Sequence, residues 1–579
     1  MSLRRSAGRR TRASMIMIPL PGLQILCDDI GATAPPQGNR VVMQQIPGLP
    51  PELPLISDYV AYWARERPGH AALVLDDHVT SYSEFESQVE RCAKALVAAG
   101  VGCGERIAHL TTPRPEFMIL YAAAARIGAI WLGLNPRARY DELSYIVGES
   151  LPKLLFSMPE FEEREFGDDM RCLSEEHPSI EQLVVMAPEV VAPAISFESF
   201  LAGADDPGAA AYKSACGQAE PGAAALIVYT SGSTGQPKGA LLSQRGIVRS
   251  CLEQCRHWWA EPFRIIVNVP VNHVGGAVQG STQALVAGGT IVLMERFDPA
   301  AIPRVIDERR VTVMHQLPTM YQLTLDRPEM AEHDLSSLQV LIWSGARCPV
   351  ELIAKLRRLA PKLFTSYGCT EIGGEVLYTA DGASDEVLAE AVGLPVADFG
   401  VRLADAADRP VDEGPGGPEG EIQVKADVVM CGYFRRPEES AAVFTADGWL
   451  RTGDVARVRD DGQWQIVGRL KEMFKSGGYN VYPREVELVL ESHPGVAMAA
   501  VVGAPDPVYD EVGFAFVVPA EGAAPMPEEL DAFCRARLSN YKIPKRILVE
   551  STLPLLPIGK IDKTGLTARA RELVGVTES

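Results

Sequence analysis

From about residue 55 to residue 393 the chain alternates helix-like and strand-like segments, and that alternation constrains its fold more than any other feature. "HVTSYSEFESQVERCAKALVAAGV" reads as a capped amphipathic helix, with Leu and Val recurring at helical spacing. "GCGERIAHLTT" follows as a turn and a strand, and "PEFMILYAAAARIGAIWLGL" as another helix and strand. "GTIVLMER", "PAAIPRVIDERR", "VTVMHQL" and "LQVLIWSG" continue the series. Repeated βα units of this kind favour parallel sheets covered by helices. At 579 residues the chain is too long for one hydrophobic core, so several domains are expected.

The texture changes near residue 394. "VRLADAADRPVDEGPGGPEGEIQVKADVVMCGYF" is rich in turns and alternating strands, as in a small antiparallel unit, and "RDDGQWQIVGRL" reads as a hairpin with Asp-Gly at its tip. After Gly468 and Arg469, "REVELVLESHP", "AMAAVVGAP", "GFAFVVP" and "PEELDAFCRARL" alternate again in a compact final region. The expected class is α/β. A large domain over 51–469 carries helix-covered parallel sheets and a β unit at about 394–468; a small mobile α+β domain covers 470–579. Residues 1–50 read as a loosely structured extension. Five arginines and no acid in "MSLRRSAGRRTRASM" give it the composition of a transit peptide, with a disordered start as the plainer reading.

The 55 basic and 75 acidic residues give a net charge of −20, which argues against general nucleic-acid or anionic-membrane binding. No apolar run is long enough to span a bilayer as a transmembrane segment. The eleven cysteines are scattered, as in a reducing cytoplasm. Cys251, Cys255 and His257 cluster, but a zinc site needs a fourth ligand and closer cysteine pairing.

Chemistry enters with "YTSGSTGQPKGA", a Gly/Ser/Thr loop between the apolar run "AAALIV" and a segment read as helical. Successive N–H groups in such a turn form an anion-binding nest. Thr230, Ser231, Ser233 and Thr234 add hydroxyls around Gly232 and Gly235, and Lys238 adds a charge. It is not a Walker A loop, because its lysine lies between Pro237 and Gly239.

The loop resembles the phosphate loop of the adenylate-forming enzymes, which include acyl-CoA synthetases, amino-acid adenylation domains and luciferases. Four further motifs carry the resemblance, which covers roughly residues 55 to 570. In "SYGCTE", beginning at Ser366 where the family often has Asn, it implies adenine stacking on Tyr367 beside Gly368, an α-phosphate contact from Thr370, and Mg²⁺ held by Glu371. In "GWLRTGDVARVRDDGQWQIVGR" it places the ribose hydroxyls on Asp454, with Arg469 in support. In "GRLKEMFKSGGYNVYPREVE" it makes Lys471 the hinge and Ser476, Gly477, Gly478 and Tyr479 the lining of a pantetheine tunnel; a plain turn before a helix is the alternative. In "YKIPKRILVESTLPLLPIGKIDK" it makes Lys560 the catalytic lysine, bridging substrate carboxylate and α-phosphate.

The implied reaction uses ATP, Mg²⁺ and coenzyme A to convert a carboxylic acid, through its adenylate, to a thioester, as an acyl-CoA synthetase does. The alternative is an adenylation enzyme serving another acceptor. The acid pocket is expected between "VPVNHVGGAVQG" and "LIWSGAR". His273 would close it behind the carboxylate. Trp343, Gly345, Ala346 and the Gly373-Gly374 pair are candidate linings, and glycines at 275, 276, 373 and 374 could leave room for a ring or a chain. Asp510 replaces a glycine frequent in the family. Monomer and homodimer both remain open.

Overall fold

The computed structural model describes residues 46, 48–203, 208–230, 236–555 and 561–575. Nearly all of the expected extension, Ser231 to Gly235 of the Gly/Ser/Thr loop, and Lys560 lie outside these residues.

The alternating segments build two large sheets. One has nine strands, and its six central members are parallel: Lys362–Cys369, Val340–Ser344, Val313–His315, Arg264–Val267, Thr290–Leu293 and Ala71–Leu75, in that spatial order. Antiparallel strands close both of its edges. The second has eight strands, parallel from Ala224–Thr230 through Ile130–Leu134, Arg106–Leu110, Leu154–Ser157 and Gln182–Val185 to Ile195–Ser196. Strand residues alternate between cores. Ile265 and Val267 join a cluster shared with Trp131 and Leu226 of the other sheet, while Ile266 faces the helices on the outside. Helix Pro115–Arg126 fills the shared layer and is buried at Pro115 and from Phe117 through Ala125, which explains its almost wholly apolar sequence. The "TSYSEFE" cap forms as read, with Ser81 and Glu84 closing a capping box on helix Tyr82–Ala98.

The span from 394 to 468 is not one unit. Gly400–Ala404, Gly420–Lys425, Leu450–Val458 and Trp464–Arg469 do form a four-stranded antiparallel sheet, with the expected hairpin turning at Gly462 (φ +80°). Leu394–Pro395, however, closes the edge of the nine-stranded sheet, and Gly432–Tyr433 pairs with the eight-stranded one. Two-residue strands carry too little pattern to assign from sequence.

The final region is a five-stranded sheet with helices Pro483–Glu491, Pro527–Arg535 and Lys563–Leu573. Its first two strands make a hairpin in which Ser476 pairs with Tyr479 across Gly477 (φ +59°) and Gly478 (φ +87°). Both central residues need left-handed backbone, as a primed two-residue turn requires, so the glycine pair has a structural cause before any functional one. Asp510 also sits in left-handed backbone (φ +72°), at the turn where Asp506 pairs with it across a long hairpin. Aspartate tolerates that region better than most residues, which explains how it stands where the resemblance expects glycine.

Candidate active site

The phosphate-loop residues are displayed by a hairpin. Thr230 ends one strand and Lys238 begins the next, Lys238–Ser243, and the two residues pair in register. Helix Gln244–His257 starts only after that second strand, so the expected strand-to-helix placement is corrected. Any anion held there depends on loop groups and Lys238 rather than on a helix terminus. The Lys238 ammonium lies 5.5 Å from the centre of the Tyr433 ring. The Tyr433 hydroxyl in turn donates to Glu371 Oε1 at 2.8 Å. Burial and the neighbouring carboxylate push the Tyr433 phenol upward, so it stays a donor.

Glu371 lies in the short turn Thr370–Ile372 that ends strand Lys362–Cys369, and Thr370 is buried beside it. The turn is pinned by Met430 N–H, which donates to the Glu371 carbonyl at 2.8 Å. With Oε1 engaged by Tyr433, a second carboxylate oxygen remains. That suits Mg²⁺, which takes one or two protein carboxylates and completes its shell with phosphate oxygens and water.

Tyr367, four residues earlier, belongs to a second cluster. Its hydroxyl donates to Asp454 Oδ2 at 2.7 Å, and Arg469 Nε approaches Asp454 Oδ1 at 2.7 Å. Asp454 and Arg469 face each other because their strands pair at that register. Asp454 is 3% exposed. Burial raises its carboxyl above the ordinary range, while Arg469 and the Tyr367 hydroxyl oppose the shift. The same carboxylate holds the Arg469 guanidinium charged. An acidic acceptor presented between an aromatic ring and an arginine is suited to vicinal hydroxyls.

The other expected residues separate into two groups. Gly345 (φ +77°) and Ala346 are exposed beyond strand Val340–Ser344, where Ser344 bonds His315 Nε2 at 2.9 Å. Burial lowers the His315 imidazole to about 4, so it is neutral. Lys471 is exposed in the turn between Trp464–Arg469 and Phe474–Ser476; Tyr479 is 60% exposed and stacks on Tyr541 at 4.6 Å, whereas Ser476 is buried. Trp343 does not face a pocket but packs in the outer core with Leu341 and Leu363. Three of the four glycines read as leaving room are taken up by packing. A Cβ at Gly374 would stand 1.8 Å from Ser250 Oγ, one at Gly276 2.5 Å from the Pro270 carbonyl, and one at Gly373 3.1 Å from the Val428 carbonyl. At Gly275 the nearest atoms, His273 Nδ1 and Gln279 Oε1, stay at 3.5 and 3.6 Å. Cys251 and Cys255 send their thiols to the carbonyls of Val278 and Gln283, while His257 stacks on Tyr378, so the three do not converge.

One group was missed. Glu375 is 1% exposed and has no cationic partner among the described residues. Gln254 Nε2 donates to its Oε2 at 2.8 Å and the Gln279 amide donates to its Oε1. Burial raises the carboxyl to about 8. An acid inside the apolar run "GGEVLY" is the signal that could have found it. A carboxyl whose folded-state pKa is raised favours folding below its ordinary range and loses that contribution as pH climbs toward 8. The Glu375→Gln variant is therefore expected to gain melting temperature on the parent steadily from pH 5 to pH 8, the underlying slope reaching at most about 1.4 kcal/mol per pH unit. Parallel melting curves across that range would remove the assignment.

Comparison with known proteins agrees with this geometry. A model described as AMP-binding enzyme matches residues 60–434, and one described as AMP-binding enzyme C-terminal domain matches residues 485–560. The chain is 36% identical over 501 residues to a feruloyl-CoA synthase of an Amycolatopsis species, covering 86% of this chain and 96% of that protein. It is 32% identical over 517 residues to a medium/long-chain-fatty-acid–CoA ligase of Mycobacterium tuberculosis, covering 87% and 88%. The structure of an amide bond synthetase from Marinactinospora thermotolerans superposes with a TM-score of 0.76 at 28% identity, covering 88% of this chain and 99% of that one.

Proposed function

Because the chain belongs to the AMP-binding enzyme family, we propose that it is an ATP-dependent carboxylate–CoA ligase acting on an aromatic, alicyclic or medium/long-chain acid. The carrying observation is the junction of Tyr367, Asp454 and Arg469, an aromatic ring from the nine-stranded sheet against a buried acceptor and a cation paired on the four-stranded one. That arrangement suits the adenosine of ATP.

Around the adenosine site the roles divide by chemistry. Asp454 accepts from the ribose hydroxyls, Arg469 opposes the effect of burial on its carboxyl, and Tyr367 stacks on the base beside Ser366, Gly368, Gly345 and Ala346. Thr230, Lys238 and the loop residues 231–235 hold the β- and γ-phosphates, the group that leaves. Thr370 contacts the α-phosphate. Glu371 would hold Mg²⁺, which neutralises phosphate charge when bound, and Tyr433 keeps the Glu371 carboxylate turned toward it. The carboxylate of the acid attacks the α-phosphate, releasing pyrophosphate, with Lys560 placed on both groups. His273 closes the acid pocket. The acyl group then passes from AMP to the thiol of coenzyme A, approaching along Ser476, Gly477, Gly478 and Tyr479.

The two halves ask for different linings at one carbon. Rotation of a small domain, 470–579, against a large one, 51–469, about Lys471 meets that demand, since a hinge needs only a few residues to absorb the backbone change. The exposed turn at Lys471 is suited to it.

The test is release of pyrophosphate from MgATP that depends on added carboxylic acid, followed by capture of the acyl group. Aryl, alicyclic and C4 to C16 acids form the panel. Thioester formation with coenzyme A supports the ligase. Acid-dependent pyrophosphate release with transfer only to amines or a carrier thiol would move the chain to the alternative, an adenylating enzyme with another acceptor. No acid-dependent release would refute both.

A further inference from the structure

The hairpin that carries Lys238 is gripped by side chains that lie outside all five motifs. Tyr145 and Glu149 stand one turn apart on helix Tyr140–Ser150. Arg436, 287 residues after Glu149, immediately precedes helix Pro437–Val443. Its Nε donates to Glu149 Oε1 at 2.6 Å and its Nη2 to the Tyr145 hydroxyl at 2.9 Å. The Tyr145 hydroxyl donates to the Pro237 carbonyl at 3.1 Å. A guanidinium only donates, so the single phenolic proton is left for Pro237, the residue before Lys238. The other leg of the hairpin meets the same cluster. A Cβ at Gly239 would stand 3.1 Å from Tyr229 Cζ, so that ring covers the Lys238 leg where Tyr229 and Gly239 pair. The Tyr229 hydroxyl is buried, and burial first, then the neighbouring Glu149 carboxylate, raises its phenol.

The cluster is locally unfavourable in several ways. A carboxylate in the last turn of a helix opposes the helix dipole, and the Glu149 side chain is only 9% exposed. Two arginines offset this: Arg436 at the carboxylate, and Arg435, whose Nη1 donates to the Glu149 carbonyl at 3.2 Å. Arg435 itself takes left-handed backbone (φ +55°), which is uncommon for a residue with a side chain. What this arrangement holds in place is the Pro237 carbonyl. The same segment bears Tyr433, the ring beside the Lys238 ammonium, so both supports of that lysine converge on one stretch of chain. We propose that Tyr145, Arg436 and Glu149 are positioning residues for ATP: through Pro237 they set the Lys238 ammonium against the β- and γ-phosphates without touching the nucleotide. This rests on the reading of Lys238 as a phosphate contact and adds the groups that hold it there.

The experiment measures binding of ATP and AMP to the full chain by equilibrium dialysis with Mg²⁺ and no carboxylic acid. AMP keeps the adenosine and the α-phosphate and lacks the group assigned to Lys238. Tyr145→Phe preserves the ring and every charge. It is expected to weaken ATP by about five- to tenfold, the scale of one hydrogen bond, and to leave AMP within about twofold. Arg436→Lys keeps the charge, but a compact ammonium does not span both partners, so the same loss is expected. The double variant should lose no more than about twofold beyond either single one, because both act through one carbonyl. Glu149→Ala separates positioning from charge: removing an anion near the phosphates would tighten ATP by electrostatics alone, whereas lost positioning weakens it. Unchanged ATP binding in Tyr145→Phe and Arg436→Lys overturns the proposal, and so does tighter ATP in Glu149→Ala. Equal weakening of ATP and AMP overturns it too, marking a general role in folding. If the phenylalanine variant does not fold, Arg436→Lys decides. A parent that shows these shifts yet releases no pyrophosphate with any acid would keep the clamp and lose the ligase reading. A parent that binds no ATP would lose both.

Discussion

Asp454→Ala is expected to lower kcat/KM for ATP by about 10²- to 10³-fold, with most of the loss in KM. The carboxylate accepts two ribose hydroxyls in the proposed complex, and a hydrogen bond to a charged group contributes about 1.5–3 kcal/mol. Two such bonds, partly replaced by water, correspond to two or three decades at about 1.4 kcal/mol per decade. The ribose is far from the atoms that react, so it is held equally in ground and transition states, and its loss belongs in KM. A control is needed because Asp454 also organises its neighbours. Alanine strands the Tyr367 hydroxyl and the Arg469 guanidinium, both within 2.7 Å of the carboxylate. Asp454→Asn keeps an acceptor for Tyr367 and removes only the charge, so it should fold like the parent and lose about tenfold, the smaller part of the effect. Steady-state pyrophosphate release at varied ATP gives both numbers. An unchanged KM for ATP in the alanine variant would place the ribose elsewhere.

The sheets were readable because their signal is collective. Each βα unit spreads its apolar pattern over some thirty residues, and local errors cancel. Gly432–Tyr433 had no such support, yet it brings Tyr433 between Lys238 and Glu371. A two-residue strand has no period, and its partner lies almost two hundred residues away. The glycines misled for a related reason. Sequence shows that a side chain is missing, not whether the vacancy faces a ligand or a neighbouring backbone, and at Gly374 and Gly276 it faces the chain itself. Gly368 makes the same point within the adenosine motif, since a Cβ there would stand 1.8 Å from the Gly374 carbonyl. Trp343 was misplaced by the alternation of a strand, its neighbour Ile342 taking the inner face and Trp343 the outer. Asp454 and Glu371 stand out in the sequence because flanking residues carry the resemblance with them, and the structure sets Asp454 against Tyr367 and Arg469 and Glu371 against Tyr433.

Lys560→Ala is expected to separate the two half-reactions. Adenylation should fall by about 10²- to 10³-fold, the scale set by removing one positioned donor from developing negative charge. Thioester formation from supplied acyl-adenylate and coenzyme A should stay within a few fold of the parent, because that step loses no contact to the lysine once the small domain has turned. The described residues that follow it are firmly anchored. Lys563, at the start of helix Lys563–Leu573, sets its ammonium 2.7 Å from Glu472 Oε2 and 2.8 Å from Glu487 Oε1. Glu472 adjoins the proposed hinge at Lys471, and Glu487 lies on helix Pro483–Glu491, where Arg484 also pairs with it. These partly buried ion pairs hold Lys563 charged despite its desolvation. They also bind the hinge turn, one helix and the start of another into one piece, so rotation at Lys471 would carry the whole region rather than a loose loop. The measurement is therefore paired: single-turnover pyrophosphate release for the first half, thioester formation from synthetic acyl-adenylate for the second. Equal losses in both would mean that Lys560 serves the fold or both chemistries, and the division of labour between two domain positions would have to be abandoned.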